Sequence, residues 1–189
     1  MAESGSRKRN TPPGRGIRIP VQALEAFVVE LFRRVQMLPE HAAIMARMLV
    51  QTDLRCVFSH GTRQVPRYVR EIREGRVNPR PDVRAVADFP AGLVLDGDGG
   101  MGHVPCCQAT QACVGKAKQC GVAAATTRNH FHFGAASKYT LMAVEQGCIG
   151  IAVSSHRFFG SKPGDTIWAA CTNSPLSISI PAGTEPPLV

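Results

Sequence analysis

Long apolar runs are absent from this sequence of 189 residues. No stretch can cross a bilayer, which needs about 20 consecutive apolar residues, and the N-terminus lacks the apolar core of a secretion signal. The seven cysteines form no CxxC pair. Their odd number, without a signal peptide, indicates reduced thiols rather than a disulfide framework. We therefore expect a cytoplasmic protein with no membrane partner.

Aromatic residues are scarce, at 6% of the chain, and 14 acidic residues stand against 22 basic ones, giving a net charge of +8. Half of this charge lies in residues 1–18, which contain one acidic residue, Glu3, and five basic ones: Arg7, Lys8, Arg9, Arg15 and Arg18. We predict a disordered basic leader over residues 1–16. Because basic and aromatic positions do not interleave elsewhere, the sequence argues against a nucleic-acid partner.

Hydrophobic residues make up 44% of the chain, enough for a packed core. Between residues 20 and 53 they recur at helical spacing, with an interruption at 38–40, and this pattern predicts two amphipathic helices. A third helix is predicted over residues 66–74, with Pro66 in its first turn and Gly75 at its end. Residues 17–80 are thus predicted to form a helical N-terminal region.

From residue 81 onward, short strand patterns alternate with helical ones. Helices are predicted at 104–120 and 135–146, and strands at 83–86, 93–95, 122–126, 149–154 and 177–180. We therefore predict an α/β fold in which N-terminal helices precede a partial, mixed α/β domain over residues 81–189. The chain stops shortly after its last predicted strand, so we expect an N-terminal fragment with an incomplete C-terminal part.

Residues 97–102, GDGGMG, match the G-x-G-x-x-G pattern of dinucleotide-binding turns and lie between a predicted strand and a predicted helix. That pattern calls for an acidic residue about 20 positions later, to bind the ribose. No Asp or Glu occurs between Gly99 and Glu145. We therefore interpret the glycines as a tight strand-to-helix turn. Free amides at the helix start could still bind a phosphate.

Two histidine segments far apart in the chain suggest a polar site. His132 precedes an aromatic residue and small residues, which allow a ligand to approach the backbone closely, and histidine exchanges protons near neutral pH. The run 59–68 combines hydroxyl, imidazole, guanidinium and phenol groups. It suits a ligand with a carboxylate, and it is equally typical of a helix start with solvated arginines.

A metal site is a weaker interpretation of the second segment. In an extended backbone, His130 and His132 would point to the same side, and imidazoles are common zinc ligands. No third ligand lies nearby in the sequence, and acidic residues are sparse there. We therefore predict no metal.

Several short motifs occur in an order and spacing that resemble the malate/L-lactate dehydrogenase family. These are non-Rossmann 2-hydroxyacid oxidoreductases, and they include ureidoglycolate, sulfolactate and piperideine-2-carboxylate enzymes. The resemblance extends from about residue 17 to 181 and rests on residues 53–61, 66–68, 75–79, 97–102, 132–134 and 147–152. It implies a non-classical NAD(P)-binding fold, a homodimer, and hydride exchange between NAD or NADP and a 2-oxo or 2-hydroxy acid.

The resemblance also implies roles for individual residues. His132 matches the family's proton-transfer histidine. Ser59 and His60 match a Ser-His pair beside the substrate and the nicotinamide. Thr172 and Asn173 lie in a segment that resembles one near the cofactor.

The sequence departs from the family pattern at the substrate arginine. Gln64 stands at that position, four residues after His60. Arg63 or Arg67 is the nearest arginine that could replace the missing one. Cys171 also replaces a glycine, and about half of the family's length, with much of its dinucleotide site, is missing. The leading hypothesis is a 2-hydroxyacid dehydrogenase. The alternative is a non-catalytic binding or dimerisation module derived from this family.

Overall fold

The computed structural model of the protein describes residues 16–155 and 174–189. The predicted leader, except Gly16, and the predicted cofactor positions Thr172 and Asn173 lie outside these ranges. The fold is α/β, as predicted, with α1 (Val21–Arg34), α2 (Pro39–Leu54), α3 (Val65–Arg73), β1 (Arg84–Phe89), β2 (Gly92–Asp96), α4 (His103–Cys120), β3 (Ala124–Arg128), α5 (Ser137–Val144), β4 (Gly150–Val153) and β5 (Leu176–Ser179). Across the two described ranges, no helix combines the length and apolar character needed to cross a membrane.

The chain groups into two compact units. Among the described residues, the first comprises residues 16–86 together with Leu95–Pro105 and Thr127–Gly134. The second comprises Ala87–Val94, Cys106–Thr126 and residues 135–155 and 174–189. The division between residues 80 and 81, which the sequence suggested from element types, stays a prediction.

The core of the first unit is built from α1, α2 and α3. Each helix turns apolar residues inward at intervals of three or four positions, which lie on one helical face. Pro39 occupies the first turn of α2, where a missing amide removes no intrahelical hydrogen bond. The buried cluster contains Val28, Phe32, Val35, Met37, Ala42, Met45, Ala46, Leu49, Val65, Tyr68, Ile72, Val77 and Met101.

The strands β1, β2 and β3 form one sheet in that order. Gly121 ends α4 with a positive φ of 83°, the left-handed conformation that glycine adopts without strain. Two further residues precede the pairing, so β3 begins at Ala124, two positions later than predicted.

The second unit contains a two-stranded antiparallel sheet, in which β4 pairs with β5 and Ile151 lies opposite Ile178. One face of this ribbon meets α5 through hydroxyl groups. The Thr140 hydroxyl lies 3.0 Å from that of Ser177 and 2.7 Å from that of Ser179. Buried hydroxyls need such partners, so these bonds align the ribbon with the helix.

Candidate active site

Two consecutive 3-10 turns, Phe58–His60 and Thr62–Gln64, connect α2 to α3. The side chain of Asp53, near the end of α2, accepts hydrogen bonds from the Thr62 amide at 3.1 Å and from the Thr62 hydroxyl. Gly61 joins the two turns so close to this carboxylate that a Cβ would overlap it. The glycine that follows the motif histidine is therefore required by packing.

The first turn places two polar side chains in contact. The Ser59 hydroxyl lies 2.8 Å from Nδ1 of His60, and the Gln64 amide donates a hydrogen bond of 2.6 Å to the Ser59 carbonyl. Gln64 therefore holds the backbone of this turn in place. Arg63, one residue earlier, is exposed.

The glycine-rich turn at residues 97–102 fixes the segment that carries His132. Its amides donate to backbone carbonyls of that segment: Gly97 to Arg128 at 2.9 Å, Gly99 to Asn129 at 2.8 Å, and Gly102 to His132 at 3.2 Å. A Cβ on Gly102 would lie 2.5 Å from the Phe131 carbonyl oxygen. The glycines thus permit close backbone approach, in agreement with the predicted tight turn, and these three amides are already engaged rather than available to a phosphate.

His132 lies within reach of the Ser59–His60 turn. The imidazole rings of His60 and His132 have centroids 5.8 Å apart, and His132 is half-buried. Its Nδ1 lies 2.6 Å from the hydroxyl of Tyr68, a residue 64 positions away in the sequence. The two histidines that the sequence singled out are therefore neighbours, as a shared polar site requires.

Two further members of this cluster were not identified as site residues from the sequence. Tyr68, on α3, is fully buried, and burial raises the pKa of its phenol, with Arg67 opposing the shift. His103, the first residue of α4, is also fully buried, with its ring 5.7 Å from Tyr68 and 6.5 Å from His132. The spacing of Val65, Tyr68 and Ile72 did carry a signal, because it marks a buried helical face on which a phenol needs a partner.

His130 is directed to other groups than His132. Its Nδ1 lies 2.7 Å from the Phe131 carbonyl, to which it can only donate, and its Nε2 lies 2.9 Å from the Thr127 hydroxyl. Both nitrogens thus have local partners. In the part of the chain that the structure describes, no group of three His, Cys, Asp or Glu side chains could hold a metal ion.

A cationic side chain lies next to the His132 segment. The Arg67 guanidinium is centred 5.5 Å from the Phe131 ring centroid, a cation–π distance. Its Nε is 3.9 Å from a Glu71 carboxylate oxygen, and 47% of its side chain is exposed. A long ion pair in solvent contributes little, so the guanidinium retains donors for an anionic ligand.

Comparisons with known proteins agree with this fold. Residues 19–189 match the family described as malate/L-lactate dehydrogenase. Malate dehydrogenase of Pyrococcus horikoshii is 35% identical over 170 residues, which are 90% of this chain and 47% of that protein. L-sulfolactate dehydrogenase of Methanocaldococcus jannaschii is 36% identical over 128 residues, which are 68% of this chain and 37% of that protein.

Solved structures give the same result. The malate dehydrogenase structure from Pyrococcus horikoshii superposes with a TM-score of 0.79 and 34% identity, covering 90% of this chain and 49% of that one. That of Entamoeba histolytica gives 0.80 and 27%, covering 92% and 48%. The chain therefore has the α/β fold of these solved structures. It belongs to the malate/L-lactate dehydrogenase family, and it spans about half the length of the relatives it matches.

Proposed function

We propose that this chain carries the proton-transfer half of an NAD(P)-dependent 2-hydroxyacid dehydrogenase, which interconverts a 2-oxo acid and a 2-hydroxy acid of the malate or lactate type. The observation that carries the proposal is the 5.8 Å approach of the His60 and His132 rings, because it unites two segments that are distant in the chain. The relatives named as malate and L-sulfolactate dehydrogenases support this reaction class.

His132 is the proposed acid and base. Reduction of a C2 carbonyl leaves negative charge on its oxygen, and an imidazolium within hydrogen-bond reach gives that oxygen a proton. In the reverse direction, neutral imidazole takes the hydroxyl proton. Positioned acid–base groups of this kind contribute ~10²–10⁴-fold to the rate. Ser59 and His60 orient the other side of the substrate.

Binding of the substrate carboxylate is the role in which this chain departs from its family. Gln64 has no positive charge, and its amide is already bonded to Ser59. Arg67 is the better candidate, because it lies against Phe131, directly before His132. Arg63 is the second candidate. A guanidinium can hold a carboxylate through two parallel hydrogen bonds, which fixes the orientation of C2.

We propose that the reacting end of a nicotinamide cofactor binds beside the His60–His132 pair. NAD or NADP supplies the hydride when bound, and the proposed contact is His60, with Thr172 and Asn173 in the part of the chain outside the structure's description. The amides of Gly97, Gly99 and Gly102 already donate hydrogen bonds to backbone carbonyls. We therefore expect other groups to bind the diphosphate of the cofactor. A homodimer is proposed from the family resemblance, and light scattering of the purified chain tests it.

The test is oxidation of NADH and NADPH with pyruvate, oxaloacetate, sulfopyruvate and a cyclic imino acid, using this chain and any longer product of its gene. We expect His132→Gln to lower kcat by about 10²-fold or more. His130→Gln is the matched control, because among the described residues both ring nitrogens of His130 have partners in its own loop, and it should retain most activity. Circular dichroism checks that both variants fold.

The competing function, a non-catalytic binding module, draws its support from Gln64, which leaves the family's arginine position uncharged. This function predicts that neither this chain nor a longer product of its gene turns over any of the acids, and that the chain binds a partner or a second copy measurably. Equal activity of the His132→Gln variant and the wild type would refute the proposed role of that imidazole.

A further inference from the structure

The Tyr68 hydroxyl occupies an unusual place for a polar group. Tyr68 belongs to the apolar cluster of the first unit and none of its surface is exposed to solvent. Its hydroxyl lies 2.6 Å from Nδ1 of His132, a short distance for this pair of atoms. A buried hydroxyl without a partner is costly, so this contact ties the His132 ring to the core of the unit.

We infer that Tyr68 is a positioning residue for His132: its phenol stays bonded to Nδ1 in both charge states of the imidazole and so reserves Nε2 for the substrate oxygen. This inference rests on the proposed function, in which His132 transfers the proton.

The chemistry of a phenol suits this role because its hydroxyl can donate and accept. When His132 is an imidazolium, its Nδ1–H donates to the Tyr68 oxygen and its Nε2–H faces the substrate. After Nε2 has given up its proton, Nδ1–H keeps the same acceptor, and Nε2 accepts a proton in the reverse reaction. In the other neutral tautomer the proton is on Nε2, and the Tyr68 hydroxyl then donates its hydrogen bond to Nδ1.

The phenol itself does not lose its proton in this scheme. Burial raises its pKa, so at neutral pH it remains a neutral group that adds no charge to the site. The titratable rings beside His132 within the described ranges are Tyr68, His60 and His103. His103 lies edge-on to Tyr68 with an interplanar angle of 70° and packs against the phenol ring.

The first experiment detects the hydrogen bond between Tyr68 and His132 in the absence of substrate. In the 15N-histidine-labelled chain, NMR should reveal a slowly exchanging proton shared between Tyr68 and Nδ1 of His132, at acidic as well as at alkaline pH. Tyr68→Phe should abolish this signal. Tyr139→Phe is the matched control, because it removes the hydroxyl of the second tyrosine, which is also buried but lies on α5, and the signal should remain.

The second experiment measures turnover. Tyr68→Phe should lower kcat about tenfold, the equivalent of one hydrogen bond of about 1.4 kcal/mol, and change KM less than twofold, whereas Tyr139→Phe should change neither. If Tyr68 had only a structural role, the activity of each tyrosine variant would fall only in proportion to its folded fraction, which circular dichroism measures.

The outcomes separate the two proposals. A shared proton in a wild-type chain that turns over no acid overturns the proposed function and leaves the contact intact. Turnover with an unaltered kcat in Tyr68→Phe overturns the inference and leaves the function. If Tyr68→Phe does not fold, the wild-type spectrum decides alone, since an Nδ1 without a bonded Tyr68 hydroxyl contradicts the inference.

Discussion

The two compact units of the chain differ in where their apolar side chains lie. In the first unit three helices share a buried apolar cluster, in which side chains as large as Phe32 and Met45 are completely buried. In the second unit the β4–β5 ribbon exposes its aliphatic pairs, with 68% of Ile151 and 71% of Val153 accessible. The residues that bury the first core also hold Tyr68 in place, so the proposed site lies in the unit whose packing can fix a ring.

The β4–β5 ribbon of the second unit shows the opposite arrangement. Its small and polar face is satisfied by Thr140, whereas its other face leaves Ile151 and Ile178 open as a cross-strand pair. Contiguous exposed aliphatic surface is uncommon on isolated domains, and two strands alone are marginally stable. The buried apolar cluster of the first unit thus lies within that unit, whereas the small and polar face of the ribbon is held by α5.

The largest expected effect comes from emptying the first core. Phe32→Ala should lower the free energy of unfolding by about 3–5 kcal/mol, because it removes a buried ring and leaves a cavity. Ile178→Ala, on the exposed face of the ribbon, should cost less than about 1 kcal/mol. Urea unfolding followed by circular dichroism measures both. Similar losses in the two variants would abolish the contrast between the units.

A smaller effect is expected from the hydroxyl cluster of the second unit. Thr140→Val keeps the shape of the side chain but leaves the Ser177 and Ser179 hydroxyls without this partner, at a cost of about 1–3 kcal/mol. Amide hydrogen exchange should rise in β5 first. Thr126→Val, at an exposed position, is the control. Unchanged protection of β5 in Thr140→Val would mean that the ribbon does not depend on these bonds.

The smallest effect is a pH dependence confined to the first unit. Burial lowers the pKa of His41, with Glu40 opposing the shift, and within the described ranges its Nδ1 has no hydrogen-bond partner. The unfolded state therefore binds a proton first as the pH falls below about 6.5. Stability is highest above that pH and declines below it, by at most about 1.4 kcal/mol per pH unit.

His41→Gln, which stays neutral at every pH, should remove part of this slope. The measurement is the urea midpoint at pH 7.5 and pH 5.5 for both proteins. A variant that loses as much stability as the wild type over this interval would exclude His41 as the source. The comparison also sharpens the contrast between the units, since His41 lies on α2 of the first.

Much of the secondary structure was predictable because it depends on local patterns. The periodic spacing of Val28 and Phe32 predicted α1, and Gly121 marked the end of α4. The two 3-10 turns before α3 were not predicted, because they form around Asp53, whose carboxylate acts on Thr62 through space. The delayed start of β3 likewise depends on pairing with another strand, which no local pattern contains.

For the candidate site, the sequence by itself determined which side chains were candidates: a histidine beside a serine, and a second histidine before an aromatic residue and small residues. The family resemblance related the two segments. Only the tertiary structure decided the partners, bringing His132 to the Tyr68 hydroxyl, engaging the amides of Gly97, Gly99 and Gly102 with carbonyls, and joining Gln64 to Ser59. The physical reason is that helical and strand periods are set by neighbours in the chain. Hydrogen bonds between side chains 64 positions apart exist only after the core has packed.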